Sequence, residues 1–549
     1  MGGGVEHRAI TLVAAARPRG WPWPLLALWA AIAAAALWKA FHIDDTAHLL
    51  IAQWIAEHPL HPMSGPLNWD GIDEPIWRTN QPHLWFYLMA GWGSLFGWSE
   101  PAMHALTALA ALAATLLMRR LAQAVAPAHA DWLAALFLAG PAVAAGGNVM
   151  VDVPLVACWL ALGVALCAWP ADGRQHRRFG AAAAALSAAL LVKYSSLCLL
   201  PVLWAALVWE RRWRQLWAGL VPLAVLAAWS AFNWWDYGGI HLIGRTTAGS
   251  GEGLGRLAVG WTMVLGAITP AGLVWLAALL PGRWRMAPVA ATVLGLSALY
   301  AGVAAGLVGD ALAERLLWAL FAGNGALALA AMLPAAWRVV RGLDRRAPEP
   351  GTARLAYLLL WVAGASAFYL LFTPFLAARH SLLIVPPVLL LGAWAVRDRL
   401  GQGAKAFGLA LALAASLGVG IADARFAGFW RTAVPEAAAV APGGRRFVNG
   451  HWGLQWYAGR AGFAELDVRR AGWRPGDWLL VGDHVARHLP QHPPARLERV
   501  LEVRQRRGAL DLVCTSHEAR FYAAGVTFPP WTFARDCGER LRLYRVVAR

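Results

Sequence analysis

The chain has 549 residues, 59% of them hydrophobic and only 14% charged, with a mean hydropathy of +0.48. That balance excludes an ordinary soluble domain and reads as an α-helical polytopic membrane protein. A net charge of +17 would suit nucleic acid only if the basic residues gathered on one soluble face; instead they fall in short groups between apolar runs, so no nucleic-acid partner is expected.

The first segment, residues 1–23, carries Arg8, Arg17 and Arg19 ahead of an apolar run at 24–41. The run has the length of a bilayer span and no small-residue cleavage site, so it is expected to stay as a first helix. Further spans are expected at about 100–118, 131–147, 153–170, 179–193, 196–210, 215–232, 257–280, 287–307, 311–337, 356–375, 381–396 and 406–422, about thirteen in all.

Charge sets their orientation. With the N-terminus cytoplasmic, the inner connections hold Arg8, Arg17 and Arg19; Arg119 and Arg120; Arg174, Arg177 and Arg178; Arg211, Arg212 and Arg214; Arg283 and Arg285; Arg338, Arg341, Arg345, Arg346 and Arg354; and Arg397, Arg399 and Lys405. The outer connections hold only Arg78, Lys193, Arg245, Arg256 and Arg379. Because cytoplasmic loops carry the excess of Lys and Arg, this orientation is favoured, in a bacterial-type cytoplasmic membrane.

The first outer loop, 42–99, contains "DDTAHLLIAQWIAEH", with Ala47, Leu50, Ile51, Trp54 and Ile55 at helical spacing. It reads as an amphipathic helix along the membrane surface. "QPHLWFYLMAGWGSLFGW" reads as an interfacial or re-entrant element.

After the last span, residues 423–549 change to Arg-rich, Gly- and Pro-punctuated sequence. There "DWLLVGDH", "LERVLEV", "LDLVCT" and "RLRLYRVV" read as short strands, so a small α+β domain is expected on the outer face. Cys514 and Cys537 fall here and are placed to form a disulfide in an oxidising compartment, whereas Cys158, Cys167 and Cys198 lie in apolar runs and read as packing residues.

Under this topology the polar groups gather at outer helix ends: Asp44 and Asp45 after the first span, Asn148 and Asp152 between the third and fourth, Lys193 and Tyr194 between the fifth and sixth, and Arg379 and His380 between the eleventh and twelfth. Individually each has a structural use. Asp44, Asp45 or Asp152 can cap the helix it precedes, and Lys193 or Arg379 can snorkel to the interface. Two adjacent acids exceed what capping requires. As a constellation, Arg379 and Lys193 suit an anionic lipid phosphate, and an Asp suits acceptance of a proton from an attacking hydroxyl.

These residues also carry a resemblance. The acidic pair Asp44-Asp45 after the first span, the Asp-x-Pro-Leu element at Asp152, Pro154 and Leu155, the stretch "VKYSSLCLLP", and "ARHSLLIVPPVLLL" occur in an order similar to that of GT-C superfamily polytopic glycosyltransferases, especially the protein O-mannosyltransferase and aminoarabinose-transferase-like group. The resemblance implies a polyprenyl-phosphate sugar donor and a lipid or protein acceptor reached from the outer leaflet. It places the base or acceptor-orienting acid at Asp44 or Asp45 and the second-loop acid at Asp152. Where relatives often show a Pro-Pro-Leu element late in the first loop, sometimes preceded by an acid and a Lys, this chain has "TNQPHLW". Asn80, Gln81 and His83 stand there, and His83 serves either as a partial substitute or as packing.

The expected reaction is a single inverting displacement at the anomeric carbon. Asp44, rather than Asp45, is expected to meet the acceptor, because Asp45 immediately precedes Thr46 and is better placed to cap. No cofactor is required; a divalent metal between Asp44, Asp45 and Asp152 is compatible with oxygen ligands but not demanded. The alternative is a transporter or flippase for an anionic lipid-linked substrate, which also needs cations and carboxylates within the membrane. Against it, no internal repeat is visible. In "GHWGLQWYAGRAG", residues 450–462, Trp452, Trp456 and Tyr457 suit a sugar ring, the domain core or the membrane surface.

Overall fold

Apolar runs with few breakers fold as helices because only an internally hydrogen-bonded backbone is tolerated in lipid, and the protein is mostly helical. The structure, a computed structural model, describes residues 22–548 apart from 70, 79–80, 145–146, 170–173, 245–250, 343–348, 470–471, 473, 486–495, 509–510, 516–520 and 524. Of the residues singled out above, Arg8, Arg17, Arg19, Asn80, Arg245, Arg345 and Arg346 lie outside the described residues.

Among the described residues six helices are long and apolar enough to cross a membrane: Glu100–Val125, Trp213–Tyr237, Gly282–Ala304, Asp310–Gly342, Pro350–Phe372 and Gln402–Ala439. A seventh is obtained if Leu254–Ile268 and Ala271–Leu279, which meet at a bend of 80°, count as one span. The remaining runs form shorter, broken or less apolar helices, among them Trp23–Ala36, Asp152–Cys167, Tyr194–Trp209 and Val385–Val396. Hydropathy sums over neighbours and is blind to where the chain must turn. The run expected to span 24–41 leaves its helix at Ala36, and the next residues carry Lys39 and His42 into buried polar contacts.

The bend in the middle of the chain has a visible cause. Thr269 and Pro270 interrupt the helix, and Asn324 meets the freed backbone: its Nδ2 donates to Gly266 O and Thr269 O, both at 2.7 Å, and its Oδ1 accepts from Leu273 N at 3.0 Å. Buried backbone groups released by the break are thereby satisfied.

In the segment 42–99 Asp45–Glu57 is helical, buries Leu49, Ile51 and Ile55, and packs beside the 13-residue Leu84–Phe96 helix. A short hairpin, Pro66–Asn68 against Asp73–Pro75, lies between the two in sequence. The last long helix continues from Gln402 to Ala439, well past residue 422 where its apolar run ends. Beyond it a five-stranded mixed sheet has the order Ala464–Glu465, Arg446–Asn449, Trp478–Gly482, Arg540–Val547, Arg496–Arg504. The first two neighbour pairs are parallel and the last two antiparallel. A disulfide joins Cys514 and Cys537, with Cα atoms 6.0 Å apart.

Candidate active site

The two adjacent aspartates separate at once. Ile43, just before them, has φ of +50°, a left-handed conformation costly for a β-branched residue, and the kink aims consecutive side chains in different directions. Asp44 Oδ2 accepts from Arg379 Nη1 at 2.7 Å, with side chains 21% and 17% exposed. Asp45 is fully buried. Its Oδ2 accepts from the His42 backbone N–H at 2.9 Å and its Oδ1 from that of Val149 at 2.7 Å. Asp45 therefore does not cap the helix it begins; its carboxylate turns back to tie the segment 42–99 to the segment that precedes Asp152, since two buried N–H groups there need an acceptor.

Asp152 opens the Asp152–Cys167 helix with Pro154 in its first turn, where the missing N–H costs nothing. Its Oδ1 accepts from Lys193 Nζ at 2.8 Å, and its Oδ2, also buried, has no hydrogen-bond partner among the described residues. Lys193 leaves the end of the Gln175–Val192 helix in extended conformation, which carries its side chain toward Asp152. Arg379 sits in the short Ala378–Leu382 helix with its guanidinium 5.7 Å from the Phe375 ring centroid. The adjacent His380 stacks on Tyr369 at 4.6 Å.

These groups line one cavity of about 590 Å³. Asp44, Asp152, Lys193, Tyr194, Arg379, His380 and Gln81 all contribute to it. Asp45 does not. Neither does His83, which is buried near Phe86 and Trp229, with ring centroids at 5.2 and 5.9 Å. Among the described residues no three His, Cys, Asp or Glu side chains gather to hold a metal ion, and each cavity aspartate is already matched to a cation.

Several further residues were not foreseen. Lys39 makes a buried ion pair with Asp423 and donates to Asn148 Oδ1. The Tyr522 hydroxyl donates to Asp423 Oδ2 at 2.5 Å and accepts from Asn148 Nδ2 at 2.9 Å. This network joins the end of the first helix, the segment before Asp152, the last long helix and the C-terminal region. The signal available in the sequence was a Lys and an Asp at the ends of the first and last apolar runs. Tyr522, Trp69 and His451 also line the cavity, together with Trp452 from the aromatic stretch read above as suited to a sugar ring, so both the first loop and the C-terminal region close it. Trp456 and Tyr457 are core instead: Trp456 packs edge-on to Phe41 at 5.1 Å, and the Tyr457 hydroxyl bonds Phe41 N and Glu100.

No curated protein sequence matches the chain. Residues 80–235 match the dolichyl-phosphate-mannose-protein mannosyltransferase family, a stretch that includes Asp152 and Lys193. Among solved structures, ArnT from Cupriavidus metallidurans bound to undecaprenyl phosphate is similar at 13% identity with a TM-score of 0.51, covering 85% of this chain and 93% of that one. The oligosaccharyltransferase of Archaeoglobus fulgidus in its apo form is similar at 12% identity, covering 82% of this chain and 65% of that one, but a TM-score of 0.44 is too low to carry an argument. At such identities a structural match speaks to fold alone. Residues 80–235 thus resemble the mannosyltransferase family in sequence, and most of the chain resembles ArnT in fold.

Proposed function

We propose that the protein transfers a sugar from a polyprenyl-phosphate donor to a hydroxyl of a lipid or protein acceptor at the outer face of the membrane. The observation that carries this reading is the pair of ion pairs facing one cavity, Asp44 with Arg379 and Asp152 with Lys193. A phosphodiester entering the cavity offers both cations a better-matched anion, because a guanidinium binds two phosphate oxygens at once and an ammonium adds a point charge. Arg379 moving onto the phosphate frees Asp44. The acceptor oxygen then attacks the anomeric carbon, the bond from that carbon to the phosphate oxygen breaks, and the acceptor proton passes to Asp44. Polyprenyl phosphate departs as a stable anion held by Arg379 and Lys193, so no separate acid is needed. Attack opposite the leaving group inverts the anomeric configuration, whether a hexose or a pentose is moved.

Asp152 orients Lys193, and its second oxygen, buried without a partner among the described residues, is available to a substrate hydroxyl. Asp45 is assigned a structural part, and His83 a packing one. Both fit burial away from the cavity.

The topology that serves this chemistry keeps residues 1–23 cytoplasmic, the membrane domain over 24–422 and the segment 423–549 outside, in a bacterial-type inner membrane. It counts short and broken helices among about thirteen crossings. The supporting observation is the basic residues between spans. Side-specific labelling of single cysteines placed at positions 211 and 443 checks it.

The test of function is transfer by purified protein in liposomes given a polyprenyl-phosphate sugar and a lipid or peptide acceptor, with Asp44→Asn, Asp152→Asn, Lys193→Gln and Arg379→Gln compared with the wild type. Full transfer by all four variants would overturn the site.

A further inference from the structure

One wall of the cavity is aromatic and is built from two distant parts of the chain. Trp69 comes from the first outer loop, directly after the Pro66–Asn68 strand, and His451 and Trp452 come from the start of the Trp452–Arg460 helix in the C-terminal region. Trp69 and His451 stack with centroids 5.6 Å apart and planes at 26°. Trp69 and Trp452 are only partly buried, and all three residues line the cavity that holds Asp44 and Arg379.

Two features separate this wall from ordinary core packing. Trp452 has φ of +62° and Ile43 has φ of +50°, so two bulky residues bordering the same cavity are held in a conformation that L side chains rarely adopt. Such positions persist only where the surroundings over-determine them. Here the surroundings do so. Thr46 Oγ1 donates to Trp452 O at 2.6 Å, which ties the strained residue to the helix that follows Asp44. Gln455 Nε2 donates to Asn68 O at 2.8 Å, Asn68 Nδ2 to Leu466 O at 3.3 Å, and Val468 N to Gly71 O at 2.9 Å, so the residues on both sides of Trp69 are laced to the helix that Trp452 begins and to the chain after the Ala464–Glu465 strand. A wall fixed before any ligand arrives loses little entropy on binding.

We propose that Trp69, His451 and Trp452 form a stacking subsite for a saccharide ring, either the sugar carried by the donor or one belonging to a glycan acceptor. This rests on the glycosyl-transfer reading and deepens it. The apolar C–H face of a sugar packs on an aromatic plane while its hydroxyls keep polar partners, and Gln81 and His48 line the same cavity to supply them.

Two variants test the subsite. Trp452→Gly removes the ring at a position whose positive φ glycine adopts without strain, and Trp69→Leu keeps apolar bulk without a plane. Binding of undecaprenyl phosphate is compared with binding of undecaprenyl-phosphate monosaccharides, and KM is measured separately for donor and acceptor, with Trp452→Tyr as the conservative control. Both variants are expected to bind undecaprenyl phosphate as the wild type does. If the ring belongs to the donor, they lose the added affinity conferred by its sugar, roughly three- to tenfold. If it belongs to the acceptor, donor affinity is unchanged and acceptor KM rises by a similar factor. In either case Trp452→Tyr restores most of the effect. Wild-type affinities and KM values for both substrates in both variants overturn the subsite alone. Failure of the wild-type protein to bind undecaprenyl phosphate overturns the reaction and the subsite together.

Discussion

Arg379 Nη1 lies 2.7 Å from Asp44 Oδ2, although 335 residues of chain separate them. The contact brings the turn after the first helix against the short Ala378–Leu382 helix, and both partners remain partly open to the cavity. A pair of this kind can exchange partners when a phosphate arrives. Asp44→Asn is expected to lower the transfer rate by about 10²- to 10⁴-fold, the range for loss of a positioned base, with donor binding largely kept. Arg379→Gln is expected to weaken donor binding instead. Measured KM and kcat for the two variants decide it; equal losses in both constants for both variants would contradict the division of roles.

Asp45 is expected to behave differently from its neighbour. Asp45→Ala leaves the N–H groups of His42 and Val149 buried without their acceptor, a cost of about 1–3 kcal/mol for each such group. A clear fall in the thermal midpoint in detergent, with residual activity in the folded fraction, is the expected result. Unchanged stability with lost activity would return Asp45 to the chemistry.

The buried pair Lys39–Asp423 with Tyr522 and Asn148 is expected to hold the C-terminal region on the membrane helices. Removing one partner of a buried pair leaves an uncompensated charge, and Asp423→Ala is expected to cost about 3–5 kcal/mol. Tyr522→Phe, which deletes a hydrogen bond to a charged oxygen, is expected to cost about 1.5–3 kcal/mol. Denaturation of the purified variants and limited proteolysis of the C-terminal region provide the measurement.

Stability of the C-terminal region is expected to depend on pH through Glu539. Burial raises its carboxyl to about 7, although the backbone N–H groups of Arg540, His484 and Asp483 pull the other way. A raised acid favours folding while it is protonated. Its contribution is complete below the ordinary value of 4.5 and is lost as pH rises through about 7. The loss is on the order of 3 kcal/mol. Glu465, raised to about 6 mainly by burial, acts in the same direction. Thermal midpoints should fall between pH 5 and pH 8, and Glu539→Gln should flatten that fall; an unaltered slope would discount Glu539.

Hydropathy and charge bias are local properties, so the sequence by itself determined that the chain is helical and membrane-embedded, where its apolar runs lie, and which acids and cations stand at their ends. The segments "DWLLVGDH", "LERVLEV" and "RLRLYRVV" were legible as strands for the same reason, since alternation and β-branched content are written in consecutive residues. Helix continuity was not legible. Whether a run stays straight depends on partners such as Asn324 that satisfy a break from another helix. Pairing was not legible either. That Asp44 meets Arg379 while Asp45 turns to backbone N–H groups follows from a kink at Ile43 and from loops distant in sequence. The aromatic wall joins Trp69 to His451 across most of the chain, and the same motif sends Trp456 and Tyr457 to the core. Only the tertiary structure decided these, because burial and hydrogen-bond partners are set by what packs against a residue, not by what precedes it.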